Sequence, residues 1–207
     1  MQSAVVIWAK IVDTKLMILS DRDIKKALQE GSIVVKPKPS LGEQLGSSSL
    51  DLRLGYHFRV FKHRRRPYID PLDPATMEDM TEEIVISKKE PYVIQPGEFC
   101  LASILEWIEL PDDIAARIDG RSSLGRVGLV IHSTAGHIDP GFRGAITMEL
   151  SNIGMMPILL YPKMRICQLV FEKLSSPAER PYHKKPGAKY AGRKTPAETM
   201  LGTEKVG

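Results

Sequence analysis

Pro140-Gly141-Phe142-Arg143-Gly144-Ala145-Ile146-Thr147-Met148-Glu149-Leu150-Ser151 opens on a turn dipeptide and then alternates. Ile146, Met148 and Leu150 fall on one side of an extended chain, and Thr147, Glu149 and Ser151 on the other. Successive side chains of a strand point to opposite faces, so the pattern predicts a half-buried strand over 144–151. Glu149 lies on its polar face. Open to solvent, it is an ordinary surface carboxylate; lining a cleft, it is a candidate general base.

Outward from this strand the same reading repeats. Pro96-Gly97, Pro111-Asp112 and Pro162-Lys163 are turn signals. Between them 99–108, 115–118, 127–132, 158–161 and 165–171 read as strands. Upstream, Leu50, Leu52 and Leu54 alternate with Asp51 and Arg53, and Phe58 and Val60 continue the pattern. Many short strands at this spacing predict a mainly β fold of sandwich, jelly-roll or barrel type. A short helix is expected after Ser20, a candidate N-cap with Asp23 three residues on. Ile24, Ala27 and Leu28 share its face, and Gly31 is a C-terminal stop. The polar, proline-bearing stretch 62–90 reads as a long surface excursion. Its basic run Lys62-His63-Arg64-Arg65-Arg66 is read as a solvated loop, with an anion site as the alternative.

Length and composition narrow the class. The 207 residues suit one domain able to bury a core without disulfides or structural metals. Hydrophobic residues make up 43% and charged residues 26%, and the formal net charge is +4. That balance fits an anionic ligand such as a nucleotide and is too weak to call for nucleic acid. Cys100 and Cys167 lie in apolar runs without metal-ligand spacing and read as buried, reduced thiols. No stretch is apolar for long enough to span a bilayer as a helix. We expect an N-terminal extension over 1–16, a single β domain over 17–175, and an irregular, flexible tail over 176–207 that is mobile without ligand and closes as a lid over the active site.

Three stretches can carry chemistry. Asp119-Gly120-Arg121-Ser122-Ser123-Leu124-Gly125-Arg126 follows a predicted strand. A helical turn starting at Ser122 would aim free N–H groups and hydroxyls at one spot, with Arg126 on the same face. An ordinary capped turn explains it equally well. Ser133-Thr134-Ala135-Gly136-His137-Ile138-Asp139-Pro140-Gly141-Phe142 holds Asp139, either a turn residue or a fixed carboxylate for a sugar hydroxyl or water. The strand bearing Glu149 is the third. His132, His137 and His183 share no metal spacing, and no zinc-deaminase, Walker A or G-x-S-x-G pattern is present.

Taken in order, these segments resemble the dCTP deaminase family of the dUTPase-like superfamily. The resemblance runs from Met17 to about Thr195. It rests on Ile18-Leu19-Ser20-Asp21, the segment Ser47 to Leu54, Gly120 to Arg126, Ile138 to Phe142, Thr147-Met148-Glu149-Leu150, Arg180-Pro181-Tyr182 and Ala188-Lys189-Tyr190. It implies a distorted jelly roll with a few short helices, assembled as a cytoplasmic homotrimer with interfacial sites. Mg²⁺ on the triphosphate and no zinc are implied as well. By position, Glu149 resembles the general base. Ser122 and Arg126 resemble groups that orient water and stabilise the tetrahedral state. Asp139 resembles the sugar-hydroxyl ligand. Arg121, Ser123, Thr147, Met148, Gln168, Tyr182, Lys189 and Arg193 resemble substrate contacts. Arg193 departs from a common glutamine; it can donate to phosphate but cannot accept from an amino group.

Gly136 and Gln168 resemble the subgroup that carries dCTP through to dUMP, whereas His137 stands where an apolar residue is often found. Glycine at 136 would leave room near Asp139 for a second water. The expected activity is therefore deamination of dCTP coupled to release of pyrophosphate. A deaminase releasing dUTP, a dUTPase lacking deaminase activity, and a non-catalytic nucleotide or nucleic-acid binding module are the alternatives. dUTP is a further expected ligand and dTTP an expected feedback inhibitor; no nucleic-acid or membrane partner is expected.

Overall fold

The computed structural model describes residues 17–62, 68–70, 73, 80–132, 134–185 and 192–196. The extension expected over 1–16, His63 to Arg66 of the basic run, and Lys189 lie outside the described residues.

The fold is mainly β. Helix α1 (Asp21–Glu30) begins as its sequence dictates: Ser20 Oγ accepts from the Asp23 N–H. It closes on Gly31 in the left-handed region (φ 75°) and buries Ile24 and Ala27. Strand β1 (Met17–Ile18) precedes it; β2 (Val34–Lys36) and the short α2 (Leu41–Gln44) follow. The principal sheet runs β10 (His137–Ile138), β8 (Ile114–Gly120), β14 (Arg165–Lys173), β3 (Leu50–Phe61), β6 (Phe99–Ile104), β12 (Thr147–Asn152), β9 (Leu129–Ile131), with β1 on β14 and β4 (Thr81–Val85) on β3. Smaller sheets pair β11 (Arg143–Gly144), β7 (Trp107–Glu109) and β2, and β13 (Ile158–Leu160) with β5 (Tyr92–Ile94).

The twelve-residue β3 joins the two halves of the principal sheet. Its start pairs with β14 and its end with β6 and β4. The register against β6 shifts between Leu54 and Phe58, and Gly55 lies in that shift. A Cβ there would meet the Ser103 carbonyl oxygen at 2.8 Å and that of Ile104 at 3.0 Å, so the strands approach only because position 55 has no side chain.

Alternation along the strands decides what is inside. Leu50, Leu52, Leu54 and Phe58 are fully buried, as are Cys100, Ala102, Met148, Leu150, Leu169 and Phe171. Both cysteines are buried and unpaired, and burial pushes the Cys100 thiol up to about 12 and that of Cys167 well above its ordinary value.

Three expectations are corrected. The span 99–108 is two strands, because the chain turns inward at Glu106. That carboxylate, wholly buried, accepts from the Arg53 backbone N–H (2.9 Å), from Arg53 Nε (2.7 Å) and from Gln44 Nε2 (3.3 Å). The span 144–151 is likewise broken; β12 starts at Thr147, and the Ala145 N–H turns to the Arg193 carbonyl instead. The excursion 62–90 contains β4, which pairs antiparallel with β3 from Thr81 to Val85. Only one residue in that strand is buried, so its alternation is weak in the sequence.

Candidate active site

A cavity of about 560 Å³ opens beside β12. Phe61, Phe99, Leu101 and Ile138 give it apolar walls; Glu149, Thr147, Asp139 and His132 give it chemistry. Glu149 reaches the cavity for the reason read in the sequence. Met148 and Leu150 are fully buried, so the side chains between them must face the other way. The strand is held on both sides, Glu149 opposite Leu101 of β6 and Leu150 opposite Ile131 of β9, which fixes where the carboxylate stands. Thr134 Oγ1 approaches Glu149 Oε2 at 3.5 Å.

His132, which the sequence analysis set aside as a metal ligand, is the residue missed. Its backbone is left-handed (φ 65°), and its N–H donates to the Glu149 carbonyl at 3.1 Å. Its Nδ1 is buried and meets no partner among the described residues. Burial lowers the pKa of the imidazole; the Glu149 carboxylate and a backbone hydrogen bond at Ala135 oppose that shift. A non-glycine residue at positive φ beside a cavity is the signal, and it exists only in three dimensions.

Asp139 closes a turn, its carbonyl accepting from the Phe142 N–H, and also lines the cavity. Its carboxylate pairs with His137 Nε2 (3.6 Å) and Lys185 Nζ (3.6 Å). Asp139 is thus a turn residue that also stands on the cavity wall. Gly136 is explained by packing: its carbonyl accepts from the Ile118 N–H, and a Cβ would meet the Ile118 carbonyl oxygen at 3.1 Å.

Two described segments of the tail reach the same cavity. The 3-10 turn Tyr182–Lys184 is tied down by the Tyr182 N–H to the Pro140 carbonyl, by ring contact with Phe142 (5.6 Å), and by His183 and Lys184 on Asp112. Arg193 arrives through its carbonyl on Ala145, and both Tyr182 and Arg193 line the cavity.

The other residues expected at the site lie elsewhere on the chain. The helical turn α3 (Ser122–Gly125) starts at Ser122, as read in the sequence, and leaves Ser122, Ser123 and Arg126 exposed. Arg121 is held by Asp51 Oδ2 (3.3 Å) and donates to the Arg165 carbonyl (3.3 Å). None of Arg121, Ser122, Ser123, Arg126 or Gln168 lines the cavity that holds Glu149. Met148, also expected among the substrate contacts, is fully buried, which leaves only its main chain to a ligand.

A β domain with a carboxylate-lined, cation-flanked cavity of this kind can take a nucleotide. The sequence model of the dCTP deaminase-like family matches residues 18–174, and the chain belongs to that family. It is 54% identical over 188 residues to the "dCTP deaminase, dUMP-forming" of Dictyoglomus thermophilum, covering 91% of this chain and 96% of that one. It is 52% identical over 188 residues to the "dCTP deaminase" of Thermomicrobium roseum, covering 91% and 95%. Among solved structures, the 2'-deoxycytidine 5'-triphosphate deaminase of Agrobacterium tumefaciens superposes with a TM-score of 0.59 at 22% identity. That match covers 76% of this chain and 48% of the other, about half its length, and shows the shared fold.

Proposed function

We propose that this protein deaminates dCTP at C4 of cytosine and carries the nucleotide on to dUMP, releasing ammonia and pyrophosphate. The observation that carries the reading is Glu149 on the wall of the 560 Å³ cavity, set there by a strand paired on both edges. In this reading Glu149 takes a proton from the water whose oxygen bonds to C4. As that oxygen bonds, the C4=N3 π pair moves to N3, which takes up the proton; the C4 hydroxyl then gives its own proton through Glu149 to the amino nitrogen, C4=O forms, and the C4–N bond breaks to release ammonia. Fixed donors, proposed to be Ser122 and Arg126, stabilise the charge that develops.

Because Ser122 and Arg126 are exposed and absent from the cavity that holds Glu149, we take the site to be completed by another copy of the chain in a homotrimer. Thr147, Tyr182 and Arg193 line the base and sugar end, Asp139 receives the sugar hydroxyl, and Arg121, Ser123 and Gln168 meet phosphate. Magnesium enters as the counter-ion of the triphosphate. Bound this way, magnesium would offset triphosphate charge and take most of its ligands from phosphate oxygens and water.

In the second step a water oxygen bonds to the α-phosphorus, the bond to the bridging oxygen breaks, and pyrophosphate leaves. Asp139 is the proposed acceptor of that water's proton. One observation favours a deaminase that stops at dUTP: the Thermomicrobium roseum relative, 52% identical, is named a dCTP deaminase with no mention of dUMP. Incubation with dCTP, measuring ammonia and separating nucleotides by chromatography, decides between them. dUMP and pyrophosphate appearing at the rate of ammonia support the coupled reaction; persistent stoichiometric dUTP supports deamination alone; no ammonia removes both.

A further inference from the structure

Gln168 lies on β14 with Asp51 of β3 opposite on one side and Asp119 of β8 on the other. Opposed residues on paired strands share a face. Cys167 and Leu169 point into the core and Gln168 points away from it. Asp51 on that face holds Arg121 at 3.3 Å and Arg165 at 3.2 Å, so Gln168 and the Arg121 guanidinium are neighbours through one carboxylate.

A glutamine amide has two ends of opposite character: the oxygen only accepts, the nitrogen only donates. Which end meets a phosphate decides whether the residue attracts or repels it. Ser49 Oγ donates to Gln168 Oε1 at 3.1 Å. That bond engages the accepting end and leaves Nε2 as the end free to donate; among the described residues it has no acceptor. Ser49 is itself half-buried, just ahead of β3, so its hydroxyl is placed by the strand that also carries Asp51.

We propose that Ser49 is a positioning residue, which acts through Gln168 to present an amide donor to the triphosphate beside Arg121. The proposal rests on the reading above that Gln168 and Arg121 face phosphate. It assigns Ser49 no contact with the reacting atoms.

The test is binding of the α,β-methylene analogue of dUTP, which can be neither deaminated nor cleaved at the α-phosphorus, to the full chain with magnesium, by calorimetry. Five proteins are compared: wild type, Ser49→Ala, Ser49→Thr, Gln168→Ala and the double variant Ser49→Ala/Gln168→Ala. Loss of one oriented hydrogen bond to a charged group is expected to raise Kd about three- to tenfold in Ser49→Ala. Threonine keeps the hydroxyl and is expected to stay within about twofold. The double variant binds no more weakly than Gln168→Ala alone, because the serine acts only through the glutamine. In the coupled reaction Ser49→Ala also lowers the ratio of dUMP to ammonia. Wild-type affinity in Ser49→Ala, or full additivity with Gln168→Ala, overturns the proposal. If the wild type released no ammonia from dCTP, the functional reading would fail separately, and the binding comparison would still decide the role of Ser49.

Discussion

Replacing Glu149 with glutamine keeps the length and shape of the side chain and removes its charge and its proton-accepting ability. The structure allows the cost to be divided. On the stability side, the side chain has one hydrogen-bond partner among the described residues, Thr134 Oγ1 at 3.5 Å, at the outer limit of a hydrogen bond. It is half-buried beside a cavity and not in the core, so Glu149→Gln should shift stability by no more than about 0.5 kcal/mol. On the catalytic side, loss of general acid–base action lowers the rate by about 10²–10⁴, or roughly 3–5 kcal/mol of barrier. A coupled ammonia assay at saturating dCTP reads the second effect, and calorimetric binding of dCTP with thermal unfolding reads the first. A third readout is local: the Glu149 carboxylate raises the His132 pKa against burial, so its removal must lower that pKa further, seen in an NMR titration of the imidazole. Ammonia release within tenfold of wild type would show that Glu149 is not the base. Loss of ammonia together with loss of nucleotide binding and of the melting transition would assign the residue to the fold.

Arg126→Ala and Glu149→Gln should each be inactive alone, yet mixed and reassembled subunits should regain about a quarter of wild-type ammonia release if each site joins two chains, since one random pairing in four holds both intact residues; no recovery on mixing would place the site within one chain. Truncation after Ser176 removes Tyr182 from the cavity and its ring from Phe142, so turnover should collapse while the melting midpoint falls by only about 2–4 °C; undiminished turnover would exclude a lid. Gly55→Ala forces a methyl against two backbone carbonyl oxygens and should cost about 1–3 kcal/mol by denaturant unfolding; a neutral result would mean that β3 can shift its register cheaply. Burial lowers the His132 pKa in the folded protein, so below about pH 6.5 the unfolded chain binds more protons and stability falls with pH; His132→Gln should flatten that fall between about pH 7.5 and about pH 5.5, seen as a smaller change in melting midpoint.

What could be read from the sequence depended on how far apart the interacting residues lie along it. The alternation around Glu149, the Ser20 cap, the Gly31 stop and the helical turn at Ser122 are short-range signals, and each appears where it was expected. The break at Glu106 was hidden because its partners, Arg53 and Gln44, lie more than fifty residues away in the chain. β4 was hidden because an edge strand with one buried residue carries almost no hydrophobic pattern. Gly136 has a neighbour that its place beside Asp139 in the sequence did not reveal, the Ile118 carbonyl of β8, 3.1 Å from where a Cβ would stand. His132 was discarded because metal spacing was the only question its sequence context posed; its positive φ and its orphaned nitrogen are properties of the folded chain.

The arrangement also answers a difficulty set by charge. A site for a triphosphate needs cations, a carboxylate base and a sugar-binding carboxylate, and such groups left unpaired would destabilise the fold before any substrate arrives. The chain gives the main groups provisional partners. Arg121 and Arg165 share Asp51, two positive charges around one negative, a balance that suits the phosphate contact proposed for this side. Asp139 is shared by His137 and Lys185, whose side chains are more than half exposed, so these pairs are worth little and can be exchanged. Glu149 has no ion pair among the described residues and stands on a different strand from both clusters. A base tied to a guanidinium would be a poor proton acceptor, and one beside the polyanion would hold its proton too tightly. Within one chain the proposed base on β12 stands apart from α3 and β14, and under the trimer reading it is assembly that brings Ser122 and Arg126 to the C4 end, and Arg121, Ser123 and Gln168 to the phosphate end, of a single nucleotide.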